Sequence, residues 1–162
     1  MRVVILHDDL AADGRGRPDE QDTLAQAKYI GELLRSLGHD VSSLPFSLDL
    51  QSAAESLQRL APDAVFNLVE AVGGQGRLIH LAPALLEALR IPFTGAGSEA
   101  MFLSTSKTLS KRCFEQAGLD TPRAYTRADL EALVNHTSAD TFVPADYIIK
   151  SVWEHASLGL NS

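Results

Sequence analysis

Short apolar runs alternate along this chain with segments whose apolar residues recur every three or four positions, and the first run sets the terms. Arg2 to Leu6 reads RVVIL, a stretch of the kind that suits a strand covered on both faces. Asp22 to Leu37 follows as a predicted helix. Leu24, Ala27, Ile30 or Gly31, Leu34 and Leu37 recur at helical steps, and Gly38 supplies the stop. HDVSSL (His39 to Leu44) reads as the next strand. A second helix is expected over about Asp49 to Leu60, with Ser52 and Glu55 at capping-box spacing and Leu50, Ala53, Leu57 and Leu60 as its buried stripe. Pro62 ends it, and DAVFNLV (Asp63 to Val69) is the third strand.

The loop EAVGGQG leads to a helical region, Arg77 to Leu89. Pro83 lies inside it and predicts a break near Leu81 with a fresh start at about Ala82. Ile91 to Thr94 reads as a short fourth strand. A helix from about Thr105 to Ala117 then ends at Gly118. Strand–helix alternation with short connections implies parallel strands with helices on both faces, a three-layer α/β/α sandwich of four or more strands. After Gly118 the character changes. LDTPRAYT reads as an extended connector, Thr126 as the cap of a short helix over Arg127 to Val134, and His136 to Thr141 as a polar loop. YIIK, Tyr147 to Lys150, reads as a strand of something new. The boundary is placed near Leu119 to Pro122, giving residues 1–120 as one α/β domain and 121–162 as the start of another. That second stretch is too short to bury a core alone.

The 162 residues carry 45% apolar and 22% charged side chains, enough for a real core. A net charge of −7 argues against a nucleic-acid or anionic-membrane surface. The single cysteine, Cys113, excludes an intramolecular disulfide, and its helical position beside Leu109 and Ala117 reads as a small core residue. In MRVVILHDD the acids follow the apolar run too soon for a signal peptide, and no stretch approaches a membrane span. The expected compartment is the reducing cytoplasm.

Three chemistries bear on these residues. A nicotinamide-binding fold needs G-x-G-x-x-G directly after the first strand. Here Gly14 and Gly16 come late, amid charges, and the GGQG of Gly73 to Gly76 follows the third strand instead. A phosphoacceptor receiver needs an aspartate at the end of the third strand, where FNLVE offers Asn67 and Glu70. Asp8 and Asp9 therefore read as solvated residues at a strand end. The remaining reading rests on lysines. Lys107 and Lys111 lie near the start of one helix and Lys150 ends the YIIK run, beside the small-residue stretch HASLGL. Two ammonium groups on separate elements suit the phosphates of ATP, and backbone N–H groups with the Ser157 hydroxyl suit a lid over them. Each lysine taken alone also reads as plain surface, and HASLGL as a turn.

IPFTGAGSEAMFLSTSKTLSKRCFEQAGLDTPRAY resembles the segment of the D-alanine–D-alanine ligase family in which I/LPYTGSG precedes a lysine-bearing helix and a GLPTP-like connector. YIIKSVWEHASLGL resembles that family's next block, K-P-x-x-E-G-S-S-x-G. The two blocks stand in the family's order and spacing. The resemblance implies a Rossmann-like pre-ATP-grasp domain over residues 1–120 and the first part of an ATP-grasp domain over 121–162. It implies the amino-terminal part of a carboxylate–amine ligase of cell-wall peptidoglycan synthesis working through an acyl phosphate, expected to be inactive as this stretch alone. Carried over, Lys107, Lys150, Glu154, His155, Ala156 and Ser157 would contact ATP, Ser157 standing near substrate as well. Asp19 or Glu20, with Glu70, would contact a small amino-acid or peptide substrate. No residue here is assigned to metal; the ligands of magnesium are expected outside this chain. A homodimer through the amino-terminal domain is also implied. Departures are plain: Ser151 replaces a proline, His155 and Ala156 stand where glycine and serine are usual, and Glu70 replaces a histidine–glycine entry. The competing reading is a non-catalytic binding or interaction module built on the same scaffold.

Overall fold

The computed structural model describes residues 1–9, 18–135 and 142–154, the first turn of the first helix as backbone only. The chain divides into two compact units, Met1–Thr105 and Ser106–Ser162. In the first unit, strands β1 (Arg2–Asp8), β2 (Asp40–Phe46) and β3 (Ala64–Asn67) form a parallel sheet in the order β2-β1-β3. The register runs Arg2 opposite Asp40 on one edge of β1 and Val3 opposite Ala64 on the other. Helices α1 (Pro18–Ser36) and α2 (Leu50–Leu60) make the two crossovers.

The apolar run of β1 is buried throughout, from Val3 at 8% exposure to Leu6 at 0%. Its residues alternate between two cores because successive side chains of a strand point to opposite faces. Val4 and Leu6 join Phe46, Ala53, Leu57, Val65 and Leu86 on the face covered by α2 and by helix α3 (Leu81–Ala88). Ile5 joins Ala27 and Val41 beneath α1, with Ile30 and Leu34 packed alongside. The α/β/α sandwich expected from the sequence is present.

Local chemistry explains the element ends. Asp49 caps α2, its Oδ1 accepting the Ser52 N–H at 3.0 Å, so the cap lies three residues before the Ser52–Glu55 pair anticipated for it. Glu55 instead accepts from the Gln51 side chain within the helix. Ala61 closes α2 in the left-handed region at φ 44°. Pro83 is the third residue of α3, preceded by a single 3₁₀ turn at Gly76–Leu78, so the proline sits in the first turn, where helical N–H groups lack partners.

Several expectations are corrected. Ile91–Thr94 is not a fourth strand: it makes one parallel bridge, Val65 to Phe93, with Val65 N–H donating to Pro92 O and Thr94 N–H to Val65 O. Pro92 has no N–H for a ladder, and Arg90 (φ 57°) and Gly95 (φ 102°) turn the chain on either side. The sheet therefore has three strands among the described residues. The helix expected over about Thr105 to Ala117 is present as α5 (Lys107–Gln116), in the second unit, and α4 (Ser98–Thr105) before it was not anticipated. Cys113 is exposed, not a core residue.

The start of α4 is held from a distance. Glu87 accepts the Ser98 N–H at 2.9 Å and the Ser98 hydroxyl at 2.5 Å. The hydroxyl bond foremost, then the backbone bond, hold the Glu87 carboxyl below its ordinary value. Gly97 leaves room for this: a Cβ there would lie 2.8 Å from Glu87 Oε1.

In the second unit, Ser106 is fully buried and caps α5, its hydroxyl accepting the Leu109 N–H at 3.3 Å. The Lys111 ammonium donates to Thr121 Oγ1 at 3.0 Å and to the Pro122 carbonyl, holding the connector. Helix α6 (Arg127–Val134) starts as expected with a capping box: Thr126 receives the Asp129 N–H and Asp129 receives the Thr126 N–H. Tyr147–Lys150 is not a strand. It has no strand partner among the described residues, and Ile148 and Ile149 are each 81% exposed. The His136–Thr141 loop lies outside the described residues.

Two outcomes are expected. Leu6→Ala should cost about 3 kcal/mol, read as a lower urea midpoint at unchanged slope, since it empties a site sealed on both sides. The Glu87 contribution should be complete above its unfolded value of 4.5 and decline as pH falls through the lower folded value. Amide NMR should show the Ser98 N–H shift moving with a midpoint below 4.5, and a flat trace in Glu87→Gln.

Candidate functional site

In parallel α/β sheets the loops leaving the carboxyl ends of the strands carry function, and here the end of β1 and the loop after β3 lie on that side. Asp8, the last residue of β1, is buried at 8% exposure. Its Oδ1 accepts the Glu70 N–H at 2.8 Å, and both of its oxygens accept the Ala71 N–H at 3.1–3.2 Å. The reading of Asp8 as a solvated strand-end acid is therefore wrong: the carboxylate is spent on the backbone of the loop after β3. Asp9 adds an N–H bond to Phe46 O at the end of β2.

That loop is built to hold one course. Asn67 Oδ1 accepts the Val69 N–H at 3.2 Å, and Val72 is fully buried. Gly73 and Gly74, at φ 57° and 71°, make a tight reversal in which Val72 and Gln75 exchange N–H···O bonds of 3.3 and 3.1 Å. Two successive positive φ angles are what such a two-residue turn demands, and glycine supplies them without strain. Gly73 has a second constraint, as a Cβ would meet Leu48 at 3.3 Å. Glu70 stands exposed at the head of this fixed loop. The other substrate candidates, Asp19 and Glu20, fall in the first turn of α1, and their side chains lie outside the described residues.

The nucleotide candidates belong to the second unit. Lys107 is the first residue of α5, where the helix dipole disfavours a cation. Its main-chain N–H donates to Val152 O at 3.0 Å and its Nζ to Glu154 O at 2.8 Å. The ammonium thus faces a carbonyl at the root of the HASLGL stretch. Glu154 is further fixed by its own N–H, which donates to Ser151 Oγ at 3.1 Å. The structure brings Lys107 and Glu154 together through the Glu154 backbone. Lys150 is exposed and lies outside any helix or strand, not at a strand end. His155, Ala156 and Ser157 lie outside the described residues. Lys111, noted in the sequence beside Lys107, is engaged with the connector. Among the described residues no group of three or more His, Cys, Asp or Glu side chains could hold a metal ion, and no helix is long and apolar enough to cross a membrane.

The first unit is a parallel α/β sandwich, and the second carries a segment anchored by Lys107. Comparison with known proteins relates the chain to the D-alanine–D-alanine ligases. The chain is 33% identical over 160 residues to the D-alanine–D-alanine ligase of Gluconobacter oxydans, covering 99% of this chain and 48% of the relative. It is 33% identical over 161 residues to that of Aquifex aeolicus, covering 99% and 50%. In structure it matches the crystal structure of D-alanine–D-alanine ligase from Bacillus anthracis complexed with ATP, with a TM-score of 0.60 at 15% identity over 82% of this chain and 44% of that one. No protein-family profile matches. The chain spans about half the length of the curated relatives it matches, and it is a homologue of their amino-terminal portion.

The lysine contact is open to a direct test. Lys107→Met should quicken amide exchange at Trp153 and Glu154 about fivefold, corresponding to about 1 kcal/mol for a half-exposed charged hydrogen bond, while Leu109 and Ser110 in α5 keep their protection. Unchanged exchange at Trp153 and Glu154 would show that the Nζ bond does not restrain the segment.

Proposed function

We propose that this chain is the amino-terminal part of an ATP-dependent carboxylate–amine ligase, with residues 1–120 as its pre-ATP-grasp domain and 121–162 as the beginning of its ATP-grasp domain. The observation that carries the reading is the 33% identity maintained over 99% of the chain with curated D-alanine–D-alanine ligases. Bound ATP supplies the phosphoryl group that activates a carboxylate for attack by an amine, forming a C–N bond.

The residues of this chain suit binding and orientation. Lys107 would meet phosphate oxygens with an ammonium already aimed at the Glu154 carbonyl, so a phosphate arriving there shares or replaces that acceptor. Lys150, exposed outside any helix or strand, would add a second point charge able to follow phosphates. Glu154 to Gly159 would form the phosphate loop, with His155 and Ala156 making it poorer in hydroxyls than the usual glycine and serine. On the first unit, Glu70 and Asp19 or Glu20 would receive the ammonium group of an amino-acid or peptide substrate. Magnesium would be held by carboxylates outside this chain. The reading extends to a cytoplasmic protein of peptidoglycan synthesis, paired through its amino-terminal domain.

The experiment uses the isotopically labelled chain. Titration with ATP and magnesium should shift the amide signals of Lys107 and Val152–Glu154, weakly and without tight saturation, and Lys107→Ala with Lys150→Ala should abolish the response. With D-alanine added, no phosphate should be released. Sustained phosphate release would overturn the inactivity of this stretch. A chain whose signals ignore ATP altogether would favour the non-catalytic module.

A further inference from the structure

We infer that Asp8 is a positioning residue: its carboxylate, more than the loop's own residues, fixes the head of the Glu70–Gly76 loop and hence where Glu70 is presented. The inference rests on the substrate role proposed for Glu70 only for its functional meaning; the latch itself stands on geometry. Both Asp8 oxygens are used, with Glu70 N–H at 2.8 Å and Ala71 N–H at 3.1–3.2 Å, across sixty-two and sixty-three residues of chain. Asp8 ends β1 two residues beyond Leu6, which pairs with Asn67, the last residue of β3, so its side chain stands beside the point where the loop leaves the sheet.

The rest of the loop is pinned at later points. Val72 is fully buried and Gly76 is buried, and the reversal between them is closed by Val72 and Gln75. Glu70 precedes all of these. Without a partner its N–H and that of Ala71 would face the end of the sheet unsatisfied, which buried or half-buried backbone does not tolerate. An ionised acceptor holds two such donors more firmly than a neutral one. The side chain of Glu70 can therefore stay exposed while its backbone is fixed, an arrangement that presents a carboxylate at low entropic cost on meeting a cationic group.

Amide hydrogen exchange on the whole chain, without nucleotide or amino acid, tests the latch separately from the ligase reading. In Asp8→Ala, exchange at Glu70 and Ala71 should accelerate about tenfold or more, while Val4 and Leu6 in β1 and Gln75 in the reversal remain protected. Asp8→Asn keeps one acceptor oxygen and should restore part of that protection, with a fold unaffected by the change. Unaltered exchange at Glu70 and Ala71 in either variant overturns the inference. So does a uniform loosening of β1 and the loop in Asp8→Asn, which would make Asp8 a fold residue instead. If the latch behaves as expected and D-alanine nevertheless leaves the Glu70 signal unmoved, the substrate role of Glu70 fails and the latch stands.

Discussion

The burial of β1 on both faces is the constraint on which the first unit depends. Val4 and Leu6 belong to one core, Ile5 to the other, and both edges of the strand are paired in parallel. Parallel pairing obliges each connection to return along the sheet, so α1 and α2 are consequences of strand direction as much as of their own periodicity. It also places the ends of β1, β2 and β3 along one side. Asp8, Phe46 and Asn67 finish there, and the backbone bonds from Asp9 to Phe46 and from Leu68 to Leu6 continue the sheet a residue beyond its strands. The loop that carries Glu70 departs from a platform stiffened by these bonds.

What sequence could show follows from the range over which each signal acts. The core of β1, the stripe of α2 and the capping box of Thr126 and Asp129 are local: the residues that decide them stand within a few positions of one another. α4 was not legible because its start is held by Glu87, eleven residues upstream, and SEAMFLST has no apolar face of its own. The strand expected at Ile91–Thr94 failed through Pro92, a rule that was available but gave way to an apolar run. YIIK shows the opposite limit. β-propensity marks what fits a half-buried pleated surface, and among the described residues no strand lies beside Ile148 and Ile149 to make one. Cys113 was misplaced because α5 is half-buried only from Lys107 to Lys111, while its later turns are exposed.

The site divides along the same line. Lys107 was singled out for its poor fit to a helix start, and the structure gives that misfit a local cause: both its main-chain N–H and its ammonium are used by the 152–154 segment. Opposing the helix dipole costs a cation only a fraction of a kcal/mol to about 1 kcal/mol, which a charged hydrogen bond to a carbonyl offsets. An ammonium held this way is directed without being neutralised, since a carbonyl carries a partial charge alone. Asp8 escaped sequence reasoning because its partners are backbone N–H groups, and no pattern of side chains records where a distant loop turns its amides.

The departures from the family's blocks acquire a physical sense from these contacts. A glycine-rich loop can bring its amides to phosphate by adopting positive φ, and His155 with Ala156 in place of glycine and serine narrows that choice. The residue just before that stretch, Glu154, is held from two directions, by Lys107 and Ser151. The first unit follows a parallel course. Glu70 stands where a histidine–glycine pair is usual, Asp8 holds its N–H and that of Ala71, and Gly73 and Gly74 turn the chain after them. In both places a side chain from a regular element holds backbone beside residues that depart from the family's blocks. A homologue can in this way change its loop residues while keeping the direction in which its charged groups are offered.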